Sequence, residues 1–427
     1  MAEGGSAEAT PAASDSPPRW WNRTVLGAGL TSACADCCYE TATVILPGFL
    51  AVLGIPAAVL GIVEGVADMV ASFTKMVAGF IADKFGRRKL LVLVGYALTP
   101  VGQALIALAV GWPLLLAGRI VSWFGKGLRG PLRDAIVIQS IRPEARGRAF
   151  GFHRAMDTAG AVLGPLLGVW LLGRAQTLAW DDLAGPFRLV LWLSLVPGIL
   201  AVLSFLLLVR DPAHSPNPAL RFLTSLRGLP VRFKRYLGAV GLFGVGDFSH
   251  SLLILAATEL LRPEYGIVAA AQIAGLLYVG RNLVQTAASF PVGMLADRLG
   301  ALPVLVGGYL LGVTMALATA AAFAFGLGQL PYLGAIFFVA GVYMAIQEAL
   351  ESTVTASMVT PATLGTSLGA LGTVNGTAKF LSSSLVGLLW TLVAPAFGFA
   401  LAAGLMALGT VLLARLPREQ DDGPMSP

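Results

Sequence analysis

The sequence predicts an all-α membrane protein with twelve transmembrane helices in two pseudo-symmetric six-helix bundles. Three observations carry that prediction. The 427 residues are 56% hydrophobic and 12% charged, with 51 glycines, and the mean hydropathy is +0.78, whereas a soluble globular domain is about 25% charged. Twelve apolar segments can be drawn, each near the roughly 20 residues that cross a bilayer core of about 30 Å. A short stretch of the first half, Gly79-Phe-Ile-Ala-Asp83-Lys-Phe-Gly86, returns in the second as Gly293-Met-Leu-Ala-Asp297-Arg298-Leu-Gly300.

In chain order, residues 1–23 are rich in Ala, Ser, Glu and Pro and read as a disordered cytoplasmic tail, without the basic and apolar regions of a cleaved signal. Residues 24–209 form the N-terminal bundle, with segments at 24–52, 57–82, 89–110, 113–139, 148–173 and 187–209. A basic, Pro-containing cytoplasmic linker follows at 210–235. The C-terminal bundle, 236–415, has segments at 236–260, 267–295, 302–326, 331–358, 365–391 and 395–415, and 416–427 is a cytoplasmic tail. Of the 29 Lys and Arg residues, eight lie within the segments away from their ends; of those at segment ends or between segments, 18 are on the side of the N-terminus and only Arg174, Arg188 and Arg262 on the opposite side. This positive-inside bias places both termini in the cytoplasm and the chain in the cytoplasmic (inner) membrane. It also explains the net charge of +6 without nucleic acid as a partner. Two related six-helix halves joined by a long loop are the plan of transporters that rock one half against the other around a midplane site.

The loop Gly79 to Gly86, with Arg87, Arg88 and Lys89 behind it, resembles the signature loop between the second and third helices of the major facilitator superfamily. The copy at Gly293, Asp297, Arg298 and Gly300 lacks the trailing basic pair. The resemblance covers residues 24–416. It implies that Asp83, Arg87 and Arg88 lock the halves at the cytoplasmic face; the basic residues also serve topology, which gives no reason for Asp83 or for the glycine spacing. Gly160-Ala-Val-Leu-Gly164-Pro165-Leu-Leu-Gly168 is similar to the fifth-helix motif of exporters in this superfamily, chiefly proton-driven antiporters, where it seals the outer half of the cavity. Read from the residues alone, glycines at this spacing let two helices approach closely. Arg119 resembles the family's fourth-helix arginine, which many proton-coupled members use to tune a nearby carboxyl group; Trp123 stands where a glycine is usual. RGPLRDA followed by RGRAFGFHRAMDTAGAVLGPL is similar to a bacterial branch of the superfamily.

Ionisable residues in membrane helices are costly, about 2.5 to 3.5 kcal/mol each at a helix centre, and face a bundle interior or a watery cavity. At 100° per residue, Arg119, Lys126, Arg129 and Arg133 fall within about 80° of one another on the fourth helix, a single cationic stripe. Asp36, Tyr39 and Glu40 share a face of the first helix, Glu64, Asp68 and Lys75 one of the second, and His153 and Asp157 are four apart on the fifth. In the second half the stripes are Asp247 with His250, Tyr278 with Arg281, Asn282 and Gln285, Gln347 with Glu348 and Glu351, and Asn375 with Lys379. A cationic first half facing an acidic second half is expected to hold the halves together by pairing; the bland alternative is pairing of the cations with Glu40, Glu64, Asp68 or Asp157 as structural glue. Asp157 beside His153 and Arg119, or Asp36 with Glu40, are the candidates for a coupling proton.

The reading is a secondary active transporter that moves a small molecule by alternating access, in exchange for protons as an efflux antiporter, working as a monomer in the lipid bilayer. The rivals are an importer or facilitator of an anionic solute, metal chelate or siderophore, clamped by the fourth-helix cations, and a non-transporting membrane receptor. No cofactor is expected, since no phosphate-binding loop with a Lys-Ser/Thr ending is present, and no nucleophile, base and orienting residue assemble into an enzyme site. Cys34, Cys37 and Cys38 flank Asp36 and invite a soft-metal site, but only His153 and Met156 answer them, so no metal is assigned.

Overall fold

The computed structural model describes residues 21–85, 88–141, 146–210, 229–359 and 364–416, and every regular element among them is an α-helix. The first half comprises α1 (Arg23–Val52), α2 (Ala57–Phe85), α3 (Arg88–Ala107), α4 (Trp112–Gln139), α5 (Arg146–Ala175), α6 (Gly185–Leu193) and α7 (Leu195–Leu208). The second comprises α8 (Val231–Gly244), α9 (His250–Leu299), α10 (Ala301–Phe325), α11 (Leu330–Met358), α12 (Leu364–Leu392) and α13 (Pro395–Ala414). Among the described residues, 9 stretches are long and apolar enough to cross a membrane unaided. α4 is not one of them, because Arg119, Lys126, Arg129, Arg133 and Asp134 lie along it.

The helices follow the apolar segments with two departures. α6 and α7 share the sixth segment, interrupted at Ser194. The seventh segment breaks at 245–249, and α9 carries its remainder through a kink at Gly266 (φ 74°) into the eighth. A positive φ of this kind is open to glycine at little cost. The break has a local cause: Gly241, Gly244 and Gly246 weaken the helix, and Asp247 and Ser249 compete for its backbone groups. Val245, Gly246 and Asp247 still donate to carbonyls of α8, and the Ser249 N–H beyond them is satisfied by a neighbour, as an interruption at membrane depth requires. Ser249 N donates to Ser383 Oγ on α12 at 3.0 Å, and Ser249 Oγ caps α9 by accepting from Ser251 N at 3.3 Å. Gly246 sits so close to α13 that a Cβ there would lie 2.3 Å from the Ala402 carbonyl oxygen.

The halves meet along two antiparallel seams. On one, α2 lies on α12, from Ala58 N donating to Thr391 Oγ1 (2.9 Å) through Gly61 against Ser383 to Thr373 Oγ1 beside Met76 Sδ (3.2 Å). On the other, α1 and α5 lie on α9: Gly48 faces Ala271, Gly275 faces Val44 and Val169, and Asn282 Nδ2 donates to Ala161 O at 3.0 Å. Past Asn282 the second seam parts, and Gln285 bonds inside its own half, to Glu348 at 2.7 Å. The halves therefore close at the face where α1 ends and separate, on this seam, toward the face where α1 begins. Asp36 and Asp157, deep along their helices, keep side-chain exposures of 15% and 21%.

Candidate substrate and proton site

The stripe on α4 is brought to one inner surface, and each cation meets a different environment. Arg119 is fully buried; its Nε donates to Glu64 Oε1 at 2.8 Å, a terminal nitrogen reaches the same oxygen, and another donates to Thr43 Oγ1 at 3.4 Å. Its guanidinium lies 3.8 Å above the Trp123 ring, whose indole N–H donates to Asp68 Oδ1 at 2.9 Å. Trp123, which stands in place of the usual glycine, is thus a platform under the buried pair. Lys126 Nζ sits 4.0 Å over Tyr39 and 5.3 Å from the Trp123 ring. Arg129 donates to Thr99 Oγ1 at 3.0 Å and approaches Asp36 at 3.7 Å, above the Tyr96 ring. Arg133 donates to Ser32 Oγ at 2.8 Å. Ser32, accepting from arginine, has its own hydroxyl hydrogen left for His153 Nε2 at 3.1 Å. The proton of a neutral His153 then falls on Nδ1, which faces Asp157 at 3.7 Å. Arg119 turns to Glu64, while Asp157 is met by His153.

The second half satisfies its carboxylates with neutral donors. Glu351 accepts from Tyr309 at 2.7 Å, Gln347 at 3.2 Å and Asn375 at 2.5 Å, with no cation within ion-pair distance among the described residues. Asp247 accepts from Gln347 at 3.3 Å and Glu348 from Gln285 at 2.7 Å. Asp247 lies in the break and His250 begins α9, so the two do not share a helix face; the His250 ring stacks on Tyr278 instead, with centroids 5.2 Å apart. Arg281 donates to Asn282 Oδ1 at 2.7 Å. Lys379 makes no hydrogen bond or ion pair with a described residue. Among the described residues every ion pair lies within one half, unlike the expected pairing across halves. Beside the bonds of the α2–α12 seam, the halves are bridged by hydrogen bonds from second-half donors to first-half acceptors, among them Ser249 to Glu64 (3.4 Å), Tyr278 to Glu40 (3.1 Å), Gln272 to the Val169 carbonyl (3.3 Å) and Asn282 to the Ala161 carbonyl.

The fifth-helix motif has a steric and an electronic role. A Cβ at Gly160, Gly164 or Gly168 would lie 2.5, 2.9 or 2.8 Å from the carbonyl oxygens of Ala33, Cys37 and Thr41, one turn apart on α1. Only glycines admit that approach, and Thr41 Oγ1 closes it by donating to Gly164 O at 2.9 Å. Pro165 has no N–H, so Ala161 O loses its partner four residues on. Asn282 of the other half occupies that freed carbonyl. The motif therefore both seats α5 on α1 and presents an acceptor to the second half.

Of the gating-loop residues, Gly86 and Arg87 lie outside the described residues, as do the side-chain surroundings of Gly79, Asp83 and Asp297. Arg88 is buried at the start of α3, and Arg298 is exposed in the last turn of α9. Gly293 has open space where a Cβ would stand, and Gly300 ends α9 at φ 88°, a conformation that favours glycine. Cys38 is buried, with Cys34 and Cys37 half-buried, and all three are free. A cavity of about 750 Å³ at the opposite face, where Gly54 to Ala57 meet Arg262, Pro263 and Trp390, contains none of the candidate residues. Ser249 and Ser32 were not singled out from the sequence. The signal for Ser249 is the helix-capping serine after a glycine-rich stretch; Ser32 carries no such mark.

A model of the Major Facilitator Superfamily matches residues 28–246. An uncharacterized MFS-type transporter of Methanocaldococcus jannaschii is 26% identical over 388 residues, 90% of this chain and 92% of its own. The multidrug resistance protein MdtH of Photorhabdus laumondii is 42% identical over 119 residues, 27% of this chain and 29% of its own. Among solved structures, the nucleoside transporter NupG superposes with a TM-score of 0.73 at 15% identity, covering 92% of this chain and 98% of its own. A bacterial homolog of the human lysosomal transporter Spinster, inward-facing and unoccupied, gives a TM-score of 0.65 at 16% identity, covering 92% and 94%. With the helical halves and the charged interior, these matches identify a multi-pass membrane transporter and not an enzyme: the chain belongs to the major facilitator superfamily.

Proposed function

We propose that the protein is a proton-coupled exporter of a small molecule, working as a monomer in the cytoplasmic membrane with the face where α1 begins turned to the cytoplasm. The observation that carries this reading is the chain Arg133, Ser32, His153, Asp157, buried at Ser32 and His153 and part-exposed at Asp157. Histidine changes charge between about pH 5 and 8, and a membrane carboxylate beside it is a group that takes up and releases a proton. Asp157 with His153 carries the coupling proton, and Asp36, beside Arg129 and near Glu40, is the second candidate. The halves are held in this arrangement at Glu64, Glu40 and Ala161, and transport breaks those bonds as the opening moves to the other face. The fifth-helix motif supports antiport, and the partial likeness to the multidrug resistance protein MdtH supports export.

The test uses inverted membrane vesicles with an imposed pH gradient, acid inside, followed by a fluorescent amine while amphipathic compounds of either charge are added. At least one compound is expected to dissipate the gradient only when the protein is present, and Asp157→Asn to abolish that response. Compound movement indifferent to collapse of the gradient, or directed only toward the cytoplasm, would replace this reading with a facilitator or importer.

A further inference from the structure

The carboxylates of the cavity each have a partner, while three of its lysines have no acceptor oxygen. Asp36 faces Arg129, Glu40 accepts from Tyr278, Asp68 from Trp123, Asp247 from Gln347 and Glu348 from Gln285. Lys75, Lys126 and Lys379 make no hydrogen bond or ion pair among the described residues. They emerge around one stretch of α2. Gly127, next to Lys126, packs on Ala71; Gly376, one turn before Lys379, packs on Ser72; Lys75 follows on α2 itself. The charged groups facing them are Asp36 and Glu40 at Lys126, Asp68 with the cations Lys126, Arg129 and Arg133 at Lys75, and Asp68, Asp247, Glu348 and Arg281 at Lys379. Each of those acids already has a donor. Lys75 is exposed, whereas Lys126 and Lys379 are half-buried, and ammonium groups left without an acceptor at membrane depth are costly unless a ligand supplies one. Tyr39 and Trp123, edge to face at 5.8 Å, are buried behind the same place, with Lys126 over the first ring and Arg119 over the second.

We propose that the transported molecule is a small organic anion, its carboxylate or phosphate gripped by Lys126 of the first half and Lys379 of the second. Lys75 stands at the entrance. The inference rests on this cavity being the transport site. A grip that spans the halves ties substrate occupancy to their relative position.

The test is thermal unfolding of the full chain in nanodiscs of zwitterionic lipid, with 1-naphthoate, 1-naphthyl phosphate, the cationic 1-naphthylmethylammonium and the neutral 1-naphthalenemethanol. At least one of the two anions is expected to raise the unfolding midpoint, and which one does so identifies the anionic group. Lys126→Gln and Lys379→Gln are each expected to weaken that binding about tenfold or more, the scale of a charge-assisted hydrogen bond, and Lys126→Arg and Lys379→Arg to retain it. Stabilisation by the cation alone, by none of the probes, or by an anion equally well in the two Gln variants would overturn the proposal. Binding is read without a proton gradient, so loss of pH-driven export with anion binding intact counts against the proposed function and not against this clamp.

Discussion

The two halves present carboxylates to one cavity and satisfy them differently. In the first half Glu64, Asp36 and Asp157 face Arg119, Arg129 and His153, while in the second Glu351, Asp247 and Glu348 accept from tyrosine and amide donors. A buried ion pair is a commitment: separating its members leaves a charge stranded in a low-dielectric interior. A carboxylate held by neutral donors can change its protonation state at the cost of rearranged hydrogen bonds. The two arginine pairs of the first half are thus the fixed charges of the cavity; Asp157 stands apart from them, because its partner His153 is itself titratable and Asp157 keeps a side-chain exposure of 21%. The second half supplies hydrogen-bonding arms that reach across to Glu64, Glu40 and Ala161.

The comparison breaks most severely at Arg119. Arg119→Ala leaves Glu64 buried and unpaired, and chemical unfolding of the purified protein is expected to show a loss of about 3–5 kcal/mol. Glu351→Gln, the corresponding change in the second half, keeps the Tyr309 donor and turns one amide donor against another, so about 1–2 kcal/mol is expected in the same measurement. Equal losses would mean that the halves do not differ as described. Gly160→Leu, which drives a side chain into the α1 backbone, is expected to cost about 1–3 kcal/mol by overpacking. Smallest is the bridge to α9. Asn282→Ala removes the donor and is expected to cost about 0.5–1.5 kcal/mol. Pro165→Ala supplies an N–H that bonds Ala161 inside α5 in place of Asn282, so in that background Asn282→Ala should cost little; an undiminished cost in the cycle would separate Pro165 from Asn282.

The helical plan was legible because membrane helices announce themselves by length and hydropathy, and the inward faces because charge is excluded from lipid. Helical spacing alone put Arg119, Lys126, Arg129 and Arg133 on one face, and the glycine-proline pattern marked a close approach. Partners were less legible. Glu64 meets Arg119 from a different helix, a distance that no local spacing encodes. The break at 245–249 falls inside a segment whose hydropathy predicts continuous helix, since glycines in a membrane segment are common and the partners of Ser249, Ser383 and Glu64, lie on other helices. Trp123 looked like a departure from the usual pattern, yet it underlies the buried pair.

The most direct test of the account is pH-driven transport in proteoliposomes by two isosteric variants, using a compound that dissipates the gradient with the wild-type protein. Asp157→Asn should retain exchange of that compound across the membrane while losing its dependence on the pH gradient, and Glu351→Gln should keep both. Proton drive that survives Asp157→Asn and disappears in Glu351→Gln would place the coupling proton in the second half and contradict the account.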